Sequence, residues 1–110
     1  MKVERFEELD AWKVARELAN MTYAFGREPG LSKDYGFRDQ IQRAAVSVMN
    51  NIAEGFERGS NKDFAKFLFI ARGSAGEVRS MLYLALDQKY IGSEQFSEAY
   101  ALCVRESQLC

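Results

Sequence analysis

Apolar residues recur along this chain with the spacing of helices that pack on helices. Phe64, Leu68, Ala71, Ala75, Val78, Leu82 and Ala85 step by 4, 3, 4, 3, 4 and 3 residues, an unbroken heptad seam. A second seam precedes it in Phe37, Ile41, Ala45, Val48 and Ile52. A third runs through Ala11, Val14, Leu18, Met21 and Phe25, widened by Trp12 and Ala15. Phe96, Ala99, Tyr100, Cys103 and Val104 give the C-terminal segment a shorter stripe. The pattern predicts helix 1 from around Glu7 to Leu9 until about Arg27, and helix 2 from between Ser32 and Phe37 until near Arg58. Helix 3 should run from about Asn61 to Gln88, and helix 4 from a Ser93 cap to Cys110.

The breaks between these segments are short. Pro29 forbids a continuing helix and Gly30 allows a turn. Gly59 can take the left-handed conformation that ends a helix, and Ser60, with Asp63 three residues on, can cap the next. Residues 89–92 turn the chain once more. Long helices joined by short connections make antiparallel neighbours. The fold class expected is therefore all-α, an antiparallel up-down-up-down four-helix bundle, with residues 1–110 as one domain.

A turn at Gly59-Ser60 makes antiparallel partners sum to about 119. Ala44 and Ala45 then face Ser74 and Ala75, Val48 faces Ala71, and Ile52 faces Phe67 and Leu68. Small residues meet small ones, so helices 2 and 3 should approach closely along the half away from their turn. Gly73 and Gly76 each cost a helix about 1 kcal/mol relative to Ala. They suggest either that this approach needs the space or that they are tolerated surface positions; close packing is the reading taken. Helix 3 is also apolar off its seam, at Phe67, Phe69, Ile70, Met81, Tyr83 and Leu84. A helix apolar nearly all round is buried nearly all round, which makes Phe69, Ile70, Tyr83 and Leu84 candidates for a subunit interface.

The stretch from Ala44 to Glu77 also resembles a known family. Ala44 to Ser47, Asn51 to Phe56, Arg58, Ala71 to Ser74 and Glu77 carry the resemblance, with Phe6, Leu9 and Trp12 near the start and Tyr35-Gly36-Phe37 and Gln40 before helix 2. They resemble the bacterial four-helix-bundle family named for proteins encoded in the intervening sequences of 23S ribosomal RNA genes. Members are similar to the accessory protein of diversity-generating retroelements, a pentameric bundle barrel that binds nucleic acid and a reverse transcriptase. The resemblance covers almost the whole chain. It implies a bundle that assembles, as a homopentamer with a central channel, and RNA, DNA, a reverse transcriptase or another protein as partner.

Composition narrows the chemistry. The 110 residues are 47% hydrophobic and 28% charged, a globular balance. The longest apolar run is far short of a membrane span, and Met1-Lys2-Val3-Glu4-Arg5 is followed by no apolar signal region. The reading is a cytoplasmic protein with no membrane role. Cys103 and Cys110 would lie about 10 Å apart along one helix, too far to bridge, and read as ordinary thiols rather than a metal or redox pair. Histidine is absent, which removes the commonest metal ligand and acid–base group and excludes a Glu-x-x-His di-iron site. Gly55 to Gly59 is a helix end, not a phosphate loop. Glu54 and Glu77 could form a lone acid–base pair, but no nucleophile or oxyanion device accompanies them, so capping, arginine pairing or an interface is the stronger reading. No enzyme, metal or cofactor is expected.

A net charge of -1 argues against blanket attraction to nucleic acid, so binding would need a local patch. Two groups of cations offer one: Arg38 and Arg43 on helix 2 with Lys62 and Lys66 at the turn, and Arg72 and Arg79 one heptad apart on helix 3. Repeated around a ring, each becomes stronger. The alternatives are a solvated mixed-charge surface, ion pairs that set subunit orientation, and a protein-binding scaffold with no nucleic-acid role.

Overall fold

Local chemistry sets where each helix starts and stops. The computed structural model describes residues 2–110. The second helix, α2 (Tyr35–Glu57), opens on Asp34, whose carboxylate accepts the Phe37 N–H at 3.2 Å. The third, α3 (Asn61–Asp87), opens on Ser60, whose hydroxyl accepts the Asp63 N–H at 3.1 Å. Between them Gly59 sits at φ 82°, the left-handed conformation that the tight turn requires. The first helix, α1, spans Asp10–Phe25, and the fourth, α4, spans Ser93–Leu109.

Two boundaries differ from the sequence expectation. Residues Phe6–Glu8 form a separate 3-10 turn, and α1 begins only at Asp10; it ends at Phe25, and buried Gly26 passes close under Gln42 and Arg38 of α2. Ser93 is the first residue of α4 rather than its cap. Gly92 takes the capping position, and the Gln95 side chain reaches back to accept the Gly92 N–H at 2.8 Å.

The helices pack as an antiparallel up-down-up-down four-helix bundle, with α1 against α2 and α4, and α3 against α2 and α4. No strand forms among the described residues. The heptad seams point inward: Ala71, Ala75, Val78, Leu82 and Ala85 of α3 and Phe37, Ile41, Ala45, Val48 and Ile52 of α2 are buried. The register agrees with a turn at Gly59: Ser47 and Ser74 hydroxyls meet at 3.0 Å, and Gln40 Nε2 donates to Glu77 Oε2 at 3.4 Å.

The glycines of α3 do something other than expected. A Cβ built on Gly73 or Gly76 would meet nothing within 4 Å, so neither marks a close approach. The glycine that does mark one lies near the turn: a Cβ on Gly55 would stand 2.6 Å from Phe67 Cβ. Phe67 and Met81, off the seam, are partly covered by the chain itself. Phe67 lies against Gly55 and under the Arg58 guanidinium at 5.0 Å, and Met81 packs on the main core. Trp12 is half-buried, with its ring edge-on to Phe6 at 5.2 Å and packed against the alanine-rich part of the core.

The core divides in two. One part joins Leu18, Phe25, Leu31, Phe37, Ile41, Leu82 and Ile91 near the α1–α2 and α3–α4 connections. The other, toward the α2–α3 turn, consists of Val48, Ile52 and four alanines, Ala11, Ala15, Ala71 and Ala75.

Candidate functional site

The outer face of α3 is the most unusual surface of the molecule. Phe69 is 74% exposed, Tyr83 50%, Leu84 48% and Ile70 43%. They fall in two pairs two heptads apart on one helix, with Gly73, Gly76 and Ser80 between them. The small residues leave a flat saddle flanked by large apolar side chains. A monomeric soluble protein rarely leaves such side chains uncovered together. Tyr83 differs from the other three: its ring is edge-on to Phe96 at 5.1 Å and to Tyr100 at 5.9 Å, forming an aromatic cluster across α3 and α4. The neighbouring Tyr100 hydroxyl is the main cause that raises the Tyr83 phenol above its ordinary range.

The candidate cations distribute unevenly. Arg43, Lys62, Lys66, Arg72 and Arg79 are all exposed and, among the described residues, make no ion pair. Arg38 is engaged: it pairs with Asp39 at 3.4 Å, donates to the Ser32 carbonyl at 3.3 Å and lies 5.1 Å over the Tyr35 ring. The register places Arg38 about 28 Å along the axis from Lys62, and Arg43 about 15 Å from Lys66, at about 1.5 Å per residue. The four therefore do not form one cluster within a single chain. Lys62, Lys66, Arg72 and Arg79 do share α3. Arg72 and Arg79 occupy its α4 edge, where they oppose the upward shift of the Cys110 and Cys103 thiols.

Beside this face, α2 carries a polar stripe. Gln40, Arg43, Ser47, Asn51, Glu54 and Arg58 repeat at helical spacing. Asn51 Nδ2 donates to Ser47 Oγ at 2.9 Å, Ser47 meets Ser74, and Arg58 pairs with Glu54 at 3.1 Å. Arg43, Val46, Ser47, Asn50, Asn51 and Glu54 line a shallow open groove here. Glu54 and Glu77 do not converge: the register separates them by about 18 Å, and each has its own partner, Arg58 and Gln40. That geometry can bind polar groups; it holds no acid–base pair.

These features, the bundle and the Ala44–Glu77 stretch, coincide with a family. The model described as 23S rRNA-intervening sequence protein matches residues 7–110. The chain belongs to that family. It is also similar to a crystal structure of a protein of unknown function from the S23 ribosomal protein family of Bacteroides thetaiotaomicron VPI-5482. The two share 25% sequence identity, the match covers 90% of this chain and 93% of that one, and the TM-score is 0.81. No curated protein matches the chain. Membership in the family carries no established reaction, so the chemistry must be read from the side chains.

Those side chains include one that the sequence reading passed over. Glu106 of α4 is fully buried, and neither carboxylate oxygen has a hydrogen-bond partner. Burial pushes its carboxyl up to about 8, against a small opposing effect of Arg105. The signal was present: the steps from Ala99 to Cys103 to Glu106 to Cys110 are 4, 3 and 4, so Glu106 takes a seam position. Burial likewise pushes both the Cys103 and Cys110 thiols up to about 12. They stay protonated and remain unlinked, as free thiols. Among the described residues no group of three or more His, Cys, Asp or Glu side chains could hold a metal, and no helix is long and apolar enough to cross a membrane.

Proposed function

We propose that this protein is a non-enzymatic, self-assembling bundle that binds RNA or DNA as an oligomer. The observation that supports the reading is the outer face of α3. It combines four exposed apolar side chains with Lys62 and Lys66, and with Arg72 and Arg79 along its α4 edge, none of them engaged in an ion pair. The apolar part favours contact between copies, because removing it from water is worth roughly 25 cal/mol per Å². The family resemblance points to five copies around a channel. Charge is distributed in the sense that binding requires. Helix α3 has four cations against three acids, whereas α4 has one cation against three acids, of which Glu106 is buried. Repetition around an axis turns four cations per copy into a continuous band. Contacts of that kind are to phosphate, so affinity has little sequence preference and falls steeply with salt.

Two measurements test the reading. Light scattering at micromolar concentration should give an oligomer; a stable monomer overturns the assembly. Titration of labelled structured RNA and duplex DNA at about 50 mM salt should give binding that weakens as salt rises. Replacing Lys62, Lys66, Arg72 and Arg79 by Ala should weaken all sequences alike and reduce the salt slope. If neither nucleic acid binds an intact oligomer, the exposed face serves a protein partner instead.

A further inference from the structure

Helix α4 is held by few groups. Its buried side chains are Ala99, Cys103 and Glu106. Ala99 and Cys103 join the larger core, and Cys110 packs on the alanine-rich one. Glu106 stands between Cys103 and Cys110 on the same face, one turn from each. Past Cys103 it is the only fully buried residue of the helix, and both of its carboxylate oxygens are without a hydrogen-bond partner.

A carboxyl buried without a partner tolerates the neutral form far better than the charged one. The surrounding charges do not change that. Arg105, the next residue on α4, is the one cation acting on Glu106, and its effect is smaller than that of burial. From α3, Arg72 and Arg79 act on Cys110 and Cys103. The charged residues of α1, namely Asp10, Lys13, Arg16 and Glu17, are exposed, and α2 contributes Val48 and Ile52 to this end. No cation is placed to neutralise the ionised form inside the bundle.

We infer that Glu106 is a proton-operated latch: protonated, it docks the C-terminal turns of α4, residues 103–110, on the bundle, and its ionisation releases them. The inference stands whether or not nucleic acid is bound. Its sign follows from proton linkage. The docked carboxyl titrates near 8 and the released one near the ordinary 4.5, so the docked form holds more protons between those values. The latch is strongest below about pH 4.5, weakens as pH rises from there, and reaches its weakest level above about pH 8.

Hydrogen exchange of the full chain, corrected for intrinsic amide rates, reads the latch directly. In the wild type, opening of residues 103–110 should rise a little less than tenfold per pH unit, about 70-fold between pH 5.5 and 7.5. The N-terminal half of α4 and the other helices should change by less than about threefold. Glu106→Gln, neutral at every pH, should flatten the rise to under about threefold. Glu106→Met serves if the Gln variant does not fold. A wild-type segment that shows no pH dependence overturns the inference, as does a variant that keeps the full rise. An equal rise in all four helices also overturns it, since the carboxyl would then govern global unfolding rather than one segment.

Discussion

The two ends of this bundle are built on different physical terms. At the end formed by the α1–α2 and α3–α4 connections, large side chains fill the interior: Phe25, Leu31, Phe37 and Ile91 are buried. Hydrogen bonds tie the two connections together. Tyr90 Oη donates to Asp34 Oδ2 at 2.8 Å, and Gln95 Nε2 donates to Glu28 Oε1 at 3.0 Å. The Tyr90 ring also stands edge-on to Phe37 at 5.7 Å. At the opposite end the interior is alanine, Gly55 lets Phe67 come close, and the polar group inside is an unpartnered carboxyl. One end is stabilised by volume and cross-ties, the other by close approach of helix backbones. The first should respond to lost volume and the second to added volume.

Five substitutions can break or sharpen that contrast. Leu31→Ala at the filled end should have the largest effect, a loss of about 2–5 kcal/mol by urea unfolding, because a fully buried Leu leaves a cavity. A loss under about 1 kcal/mol would mean that this end collapses easily and is not packed as described. Ala75→Leu at the alanine end should cost about 1–3 kcal/mol from overpacking. An unchanged unfolding midpoint there would remove the basis of the comparison.

Glycine gives a sharper version. Gly55→Ala should destabilise, because its Cβ meets Phe67, although Ala is the better helix former. Gly73→Ala, with open space around it, should instead stabilise the folded chain by up to about 1 kcal/mol. Thermal melts of the two variants side by side should therefore move in opposite directions. A comparably small effect belongs to Tyr90→Phe. It removes one cross-tie and should cost about 0.5–1.5 kcal/mol, with hydrogen exchange rising in residues 28–37 and 85–92 before it rises elsewhere.

What the sequence disclosed follows from which of these terms are local. The seam of α3, the turn at Gly59 and the Ser60 cap depend on neighbours within a turn or two; the turn and the cap appear as read, and the seam is buried from Ala71 to Ala85, with Phe64 and Leu68 half-buried. The tie between Asp34 and Tyr90 joins residues 56 apart, in two connections that no periodicity links, so it could not be read. Gly73 and Gly76 were misleading because helix propensity reports what a glycine costs, not what stands beside it. Glu106 was hidden by its residue type: a carboxylate looks like surface until the seam is extended through Cys103 to Cys110. The candidate cations could be placed on helices, but not grouped, since Arg38 and Lys62 share a hairpin and stand at its opposite ends. The family named by the Ala44–Glu77 stretch agrees with the match over residues 7–110.

The two protonated thiols have a practical consequence for anyone handling this protein. With burial pushing Cys103 and Cys110 up to about 12, far fewer of their thiols are thiolate at pH 7 than of an exposed cysteine near 8.5. Alkylating reagents and air oxidation act on the thiolate. A single cysteine introduced at an exposed position away from the α3 face, such as Glu17 of α1, would therefore react much faster than either native one. A fluorophore could be attached to that helix without first removing the natural cysteines, and the distances between copies in an assembly could be measured on an otherwise unaltered chain.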